Sequence, residues 1–166
     1  MTFVAKKSLG QNFLIDNKVI KNIVELGKID SDGVILEVGA GTGNLTEKIL
    51  EQSPKKLFVI EKDQRLASYL NEKFGDKINI FNEDMMKFEY EKYFNDKLII
   101  FGNLPYNIST QILAKWISAK NLDSFCKKFI LMFQKEVADR IIAETNTKNY
   151  GRLSILSNWK MKINKI

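Results

Sequence analysis

Short apolar runs recur along this chain with room for one helix between each pair, and that alternation limits the fold more than any single residue does. Val34–Val38, Leu57–Glu61, Ile78–Asn82, Leu98–Phe101 and Lys128–Phe133 read as buried strands, with Lys160–Ile166 as a last one. Between them lie helical stretches with recognisable ends. Asp16 caps an apolar stripe of Val19, Ile20, Ile23, Val24 and Leu26 that stops at Gly27, and Asp63 caps another that runs to Phe74 before Gly75. Asn44 opens a helix to about Gln52, Ser109 one to about Ala119, Lys135 one to Glu144 and Leu153 one to Trp159. The segment from Met85 to Asp96 is aromatic and charged and suits only a short irregular helix. Strands alternating with helices require crossover connections, so the expected fold class is α/β, a doubly wound, mostly parallel sheet. Ligands of such sheets lie beyond the carboxyl ends of the strands. The residues that matter are therefore those that follow each run: Glu37 to Gly43, Glu61, Asp84 and Asn103.

Composition removes several chemistries. The chain has 166 residues, the size of one domain, with no histidine and a single cysteine, Cys126. Ser-His and Cys-His nucleophiles, His-ligated zinc, Cys-cluster metal sites and internal disulfides are thereby excluded, and no metal is expected. An enzyme built this way takes its reactive group from a bound cofactor. Twenty-six Lys and Arg against 20 Asp and Glu give a net charge of +6, which favours a polyanionic partner. Lys6, Lys7, Lys127, Lys128 and Arg140 are candidate phosphate contacts, with solvated cations the plainer reading of each. No apolar run reaches membrane-spanning length and no secretory signal core is present, so the expectation is a cytoplasmic protein with no membrane partner.

Each strand tip offers a different group. Gly39, Gly41 and Gly43 form a Gly-x-Gly-x-Gly loop just after Glu37, which lets main chain pass close under a ligand. The dinucleotide fingerprint wants its third glycine one place later, where Asn44 stands, and a pyrophosphate disfavours a nearby carboxylate, whereas a cationic cofactor suits Glu37. Glu61, about 20 residues after the loop, can accept both hydroxyls of a ribose. Asp84 can accept the amine of an adenine. Asn103-Leu104-Pro105-Tyr106 follows the fourth run and combines a side-chain amide, a proline of fixed φ, a free main-chain carbonyl and an aromatic ring. That set can grip a planar base through its exocyclic amine while the ring stacks on it. Any one of these acids alone reads as a solvated strand end, and the tetrapeptide alone as a turn with a core tyrosine. In order along one sheet they describe a site for S-adenosylmethionine, releasing S-adenosylhomocysteine, in a Rossmann-like class I methyltransferase. The glycines lie under the methionine part, and Asn103 to Tyr106 face the methyl.

The motifs Gln11-Asn12-Phe13-Leu14, Glu37-Val38-Gly39-Ala40-Gly41-Thr42-Gly43-Asn44-Leu45-Thr46, Glu61-Lys62-Asp63, Asp84-Met85, Gly102-Asn103-Leu104-Pro105-Tyr106-Asn107-Ile108-Ser109 and Gln134-Lys135-Glu136-Val137 resemble those of the ribosomal RNA adenine N6,N6-dimethyltransferases. Erythromycin-resistance methylases and mitochondrial transcription factor B are relatives of that family. Tyr150-Gly151-Arg152-Leu153-Ser154 resembles its bacterial small-subunit branch rather than the resistance branch. The resemblance implies dimethylation of two adjacent adenosines in a hairpin near the 3′ end of small-subunit rRNA, on the immature small ribosomal subunit, by a monomer. It assigns cofactor contacts to Asn12, Leu14, Gly39, Glu61, Asp84 and Asn103, and places Gln11, Glu37, Gly41, Gly43 and Met85 in the same motifs. The target adenine falls to Asn103, Leu104, Pro105 and Tyr106. Gln11 and Phe13 would help the N-terminal segment fold over the site, although residues 11–14 carry no periodic signal of their own. The resemblance further implies a longer family chain, by about a hundred residues, carrying the last sheet strand and a helical RNA-binding domain. Residues 1–166 are then the methyltransferase domain, truncated before that strand, and are expected to bind cofactor but to methylate weakly or not at all.

Three other readings share features with this one. A nicotinamide oxidoreductase has the sheet and Glu61 but the other glycine spacing, and no use for Asn103 to Tyr106. A DNA adenine methyltransferase grips a flipped base with a similar tetrapeptide. A non-catalytic RNA-binding or transcription module keeps the basic surface but has no need of an intact glycine loop.

Overall fold

The computed structural model describes residues 3–6 and 9–166; Lys7 lies outside them. The chain runs α1 (Asn17–Gly27), β1 (Val34–Val38), α2 (Asn44–Leu50), β2 (Lys56–Ile60), α3 (Gln64–Phe74), β3 (Asn79–Phe81), β4 (Leu98–Asn103), α4 (Ser109–Ser118), α5 (Leu122–Phe125), β5 (Cys126–Met132), α6 (Lys135–Ile141) and α7 (Arg152–Lys160). Helix starts follow local chemistry. Asp16 accepts the N–H groups of Lys18 and Val19 at the head of α1, and Asp63 that of Arg65 at the head of α3.

The five strands form one sheet in the order β3-β2-β1-β4-β5, and every pairing is parallel. All five residues of β1 are buried, as a central strand covered on both faces must be. Alternate side chains serve the two faces. Val34, Leu36, Leu98 and Ile100 join an aromatic-rich cluster with Phe88, Tyr90, Phe94 and Trp116, while Ile35, Ile99 and Phe101 pack against α1, α2 and α3 on the other side.

The register aligns the functional tips. Val38 stands level with Ile60 and with Gly102, and Ile60 with Phe81, so Gly39, Glu61 and Asn103 all leave the sheet at one height. Strand order reverses between β1 and β4, where a crevice opens beyond the carboxyl ends.

One expectation fails at the far end of the chain. Lys160–Ile166 is not a strand: Lys160 ends α7, and residues 161–166 pair with no strand. Their alternating apolar residues, Met161 and Ile163, pack instead onto a small cluster with Leu113, Ile117 and Ile141, and Lys165 reaches Asp139 at 2.6 Å. Period-two patterning is satisfied there by helices rather than by a sheet neighbour. The short helix α5 carried no sequence signal. No helix among the described residues is long and apolar enough to cross a membrane.

Candidate active site

A cleft of about 140 Å³, partly open to solvent, lies over the tips of β1, β2, β3 and β4. It gathers Gln11, Asn12, Gly39, Gly41, Glu61, Asp84, Met85, Asn103 and Pro105 from the sequence-derived set. A smaller hollow beside it shares Asn12, Gly39, Gly41 and Asn103 and adds Leu14 and Glu37. Three members of the set line neither. Gly43 sits behind the loop at the head of α2, with φ +79 and Leu70 and Phe74 where a side chain would go. Leu104 is buried, 1% exposed. Tyr106 stands at the lip, 37% exposed.

The carboxylates at the first two tips are buried without a cation. Glu37 accepts the Thr46 hydroxyl at 2.7 Å, and burial, reinforced by Glu61, pushes its carboxyl up to about 7. Glu61 accepts the Gly41 N–H at 3.0 Å on one oxygen and the Asp63 N–H at 2.9 Å on the other, yet burial still raises it. Gly41 has φ +60, and a side chain there would meet the Phe13 ring at 3.0 Å. Glycine is therefore required for both the backbone path and the close approach.

The next two acids are already paired. Asp63, almost wholly buried, takes the Arg65 guanidinium at 2.7 Å with Lys6 at 3.5 Å, and Arg65 holds its carboxyl well below the usual range. Asp84 takes Lys62 at 2.8 Å and the Met86 N–H at 2.9 Å, and Lys62 likewise holds it down. A carboxylate retains further lone pairs for a ligand amine.

Residues 11–14 carry no periodic signal and only the family resemblance places them over the site; they lie across the cleft as a strap. Asn44, standing where a dinucleotide loop would have glycine, donates to the Leu14 carbonyl at 2.8 Å. Gln11 donates to Asp63 at 3.2 Å. Asn103 donates its amide to the Asn12 carbonyl at 2.7 Å, and the Asn12 amide donates to the Tyr106 hydroxyl at 2.7 Å. With its Nδ2 so engaged, Asn103 keeps Oδ1 as an acceptor. Asn44 was the one visible signal: a side-chain donor in place of a loop glycine.

A parallel sheet of this order with its ligand cleft at the switch point defines the fold of the class I S-adenosylmethionine-dependent methyltransferases. The family model described as ribosomal RNA adenine dimethylase matches residues 2–166, and the chain belongs to that family. It is 56% identical over 162 residues, 98% of this chain, to ribosomal RNA small subunit methyltransferase A of Pelagibacter ubique. To the protein of that name in a Wolbachia of Brugia malayi it is 44% identical over 156 residues. It spans 62% and 58% of the lengths of these two relatives. Among solved structures it resembles a dimethyladenosine transferase from Plasmodium falciparum, with TM-score 0.76 and 33% identity over 87% of this chain and 51% of that one. It also resembles the 23S rRNA methyltransferase ErmE, with TM-score 0.69 and 29% identity over 88% of this chain and 55% of that one.

Proposed function

We propose that this chain is the cofactor-binding, methyl-transferring part of an rRNA adenine N6,N6-dimethyltransferase that acts in the cytoplasm, as a monomer, on two adjacent adenosines near the 3′ end of small-subunit rRNA. The observation that carries the reading is convergence: Glu61, Asp84 and Asn103, from three different strand tips, line one cleft. S-adenosylmethionine, when bound, supplies an already activated methyl group, so the chain needs no nucleophile of its own. Its residues fit the parts of that molecule. Glu61 accepts ribose hydroxyls, Asp84 the adenine amine, and the buried, cation-free Glu37 faces the positively charged methionine part.

The target base is held at the other side. Asn103 Oδ1 accepts one N–H of the target amine. The Pro105 carbonyl already accepts the Ile108 N–H, which leaves the Leu104 carbonyl for the other. Two acceptors draw the amine toward tetrahedral geometry, localise its lone pair, and stabilise the positive charge that develops as the nitrogen is alkylated. Tyr106 presents a ring at the lip for stacking.

Calorimetric titration with S-adenosylmethionine, S-adenosylhomocysteine and NAD tests the cofactor half. Binding of the first two and not the third is expected, and the reverse overturns the reading. Transfer of labelled methyl to immature small subunits, followed under single-turnover conditions because weak activity is expected of residues 1–166, tests the substrate half. Loss of about 100-fold or more is expected in Asn103→Ala with cofactor affinity changed far less. Preferential labelling of duplex DNA sinks the assignment to rRNA.

A further inference from the structure

Lys115 lies in α4 and lines neither hollow, yet its ammonium is spent wholly on the loop that does. It donates to the main-chain carbonyls of Met85 at 3.3 Å, Met86 at 2.8 Å and Phe88 at 3.1 Å. An ammonium has three protons, and all three are used here on a single turn. Among the described residues no carboxylate lies within ion-pair distance of it.

The same turn is closed from its other side by Asp84. The Lys87 and Phe88 N–H groups both donate to the Asp84 carbonyl, and Met86 N–H donates to its carboxylate. The N–H groups of the turn thus converge on Asp84 and its carbonyls on Lys115. Met85 and Phe88 are buried, so those carbonyls have little water to fall back on. The neighbouring Trp116 adds a second anchor, donating its indole N–H to the Tyr90 hydroxyl at 2.8 Å. Helix α4 begins at Ser109, two residues beyond Asn103-Leu104-Pro105-Tyr106, so the element that follows the base-gripping stretch also grips the turn bearing Asp84 and Met85.

We propose that Lys115 is a positioning residue for the adenine end of the cofactor: by holding the Met85–Phe88 carbonyls it sets where Asp84 and Met85 stand in the cleft. The assignment rests on the functional reading above, in which Asp84 accepts the adenine amine. Lysine suits the task because a tripod of donors on a flexible stem can meet three carbonyls at once, whereas the planar fork of arginine cannot.

The test compares S-adenosylhomocysteine with S-inosylhomocysteine, which lacks the amine. The unmodified protein is expected to prefer the former by about tenfold or more, the usual weight of a hydrogen bond to a charged acceptor. In Lys115→Met that preference collapses to within about twofold, with affinity for the inosine analogue little changed; Lys115→Arg recovers part of it. Trp116→Phe removes the neighbouring anchor, and any loss of stability it causes leaves the preference intact. Lys115→Met retaining the full preference overturns the role of Lys115 while the site reading stands. An unmodified protein that binds both compounds equally overturns the Asp84 reading, and the proposal with it. Should Lys115→Met fail to fold, side-chain amine NMR on the unmodified protein decides. A slowly exchanging Lys115 ammonium signal that shifts on addition of S-adenosylhomocysteine supports the role, and one that does not shift refutes it.

Discussion

Glu37 and Glu61, behind the glycine loop, and Asp63, at the head of α3, with Asp84, beyond β3, are acids on the same rim with opposite electrostatics. The first pair is buried with only a hydroxyl and N–H groups for company, and burial raises both carboxyls. The second pair sits against Arg65, Lys6 and Lys62, and both carboxyls are held down. Desolvating a carboxylate without a cation is unfavourable, and a fold tolerates it where something else benefits. In the proposed function the unpaired acids are where a ligand supplies the missing positive charge or hydrogen-bond donors. The paired acids have their charge balanced by the fold itself: Asp63 caps α3 and pins the strap through Gln11, and Asp84 closes its turn.

The largest effect that sharpens this contrast is on cofactor affinity. Glu61→Ala removes an acceptor that a ligand has to share with the Gly41 N–H, and is expected to raise the dissociation constant of S-adenosylmethionine by about 100-fold, the order of two hydrogen bonds to a charged group. Lys62→Met, which only unpairs the already lowered Asp84, is expected to change it by less than about threefold, as befits a half-exposed ion pair. Titration calorimetry on the two variants checks both, and equal losses erase the distinction.

Stability against pH separates the halves next. The folded Glu37 carboxyl titrates near 7, above its ordinary 4.5, so the folded state holds its proton more tightly than the unfolded chain. That raised value means no penalty below about pH 4.5, a penalty that grows as pH rises, and a plateau above pH 7 of roughly 3 kcal/mol at most. Glu37→Gln is therefore expected to gain on the parent protein between pH 4.5 and 7, with a Tm several degrees higher at pH 8 relative to the difference at pH 4. Calorimetric melts across that range decide it. The same titration links to the ligand: a cationic cofactor favours the ionised form, so its affinity rises from pH 6 to pH 8 and the slope disappears in Glu37→Gln.

Much of this rim is legible in the sequence because a parallel strand announces itself as an apolar run, and the polar residue ending each run must sit at the sheet's carboxyl edge. Glu61 and Asn103 are found that way. Whether such a residue has a partner is not written locally. Glu61 meets Gly41 and Asp84 meets Lys62 only because the strands stand side by side. The strap is illegible for a related reason: residues 11–14 have no period, and they are held by hydrogen bonds donated by Asn44 and Asn103 and by others they donate to Asp63 and Tyr106, all distant in sequence. Lys115 reads as an ordinary helix lysine until its three carbonyls are in view. The misread strand at Lys160–Ile166 shows the converse, a clean alternation whose apolar side is buried by helices.

The smallest effect should come from Asp63, where the charge is balanced and the helix cap survives substitution. Asparagine caps a helix about as well as aspartate, so Asp63→Asn keeps the Arg65 N–H and loses the attraction to Arg65 and Lys6 together with the Gln11 hydrogen bond on the second oxygen. Both cations are more than a third exposed, which limits the loss to about 1 kcal/mol at neutral pH. The sign is opposite to that at Glu37. A carboxyl lowered on folding contributes stability that is present above its unfolded value near 4 and is lost as pH falls toward its folded one. Asp63→Asn should therefore melt a few degrees below the parent at pH 7 and approach it at pH 3. If it instead melts higher at pH 7, as Glu37→Gln does at pH 8, the two pairs of acids do not differ in kind and the division of the rim into unpaired and charge-balanced acids falls.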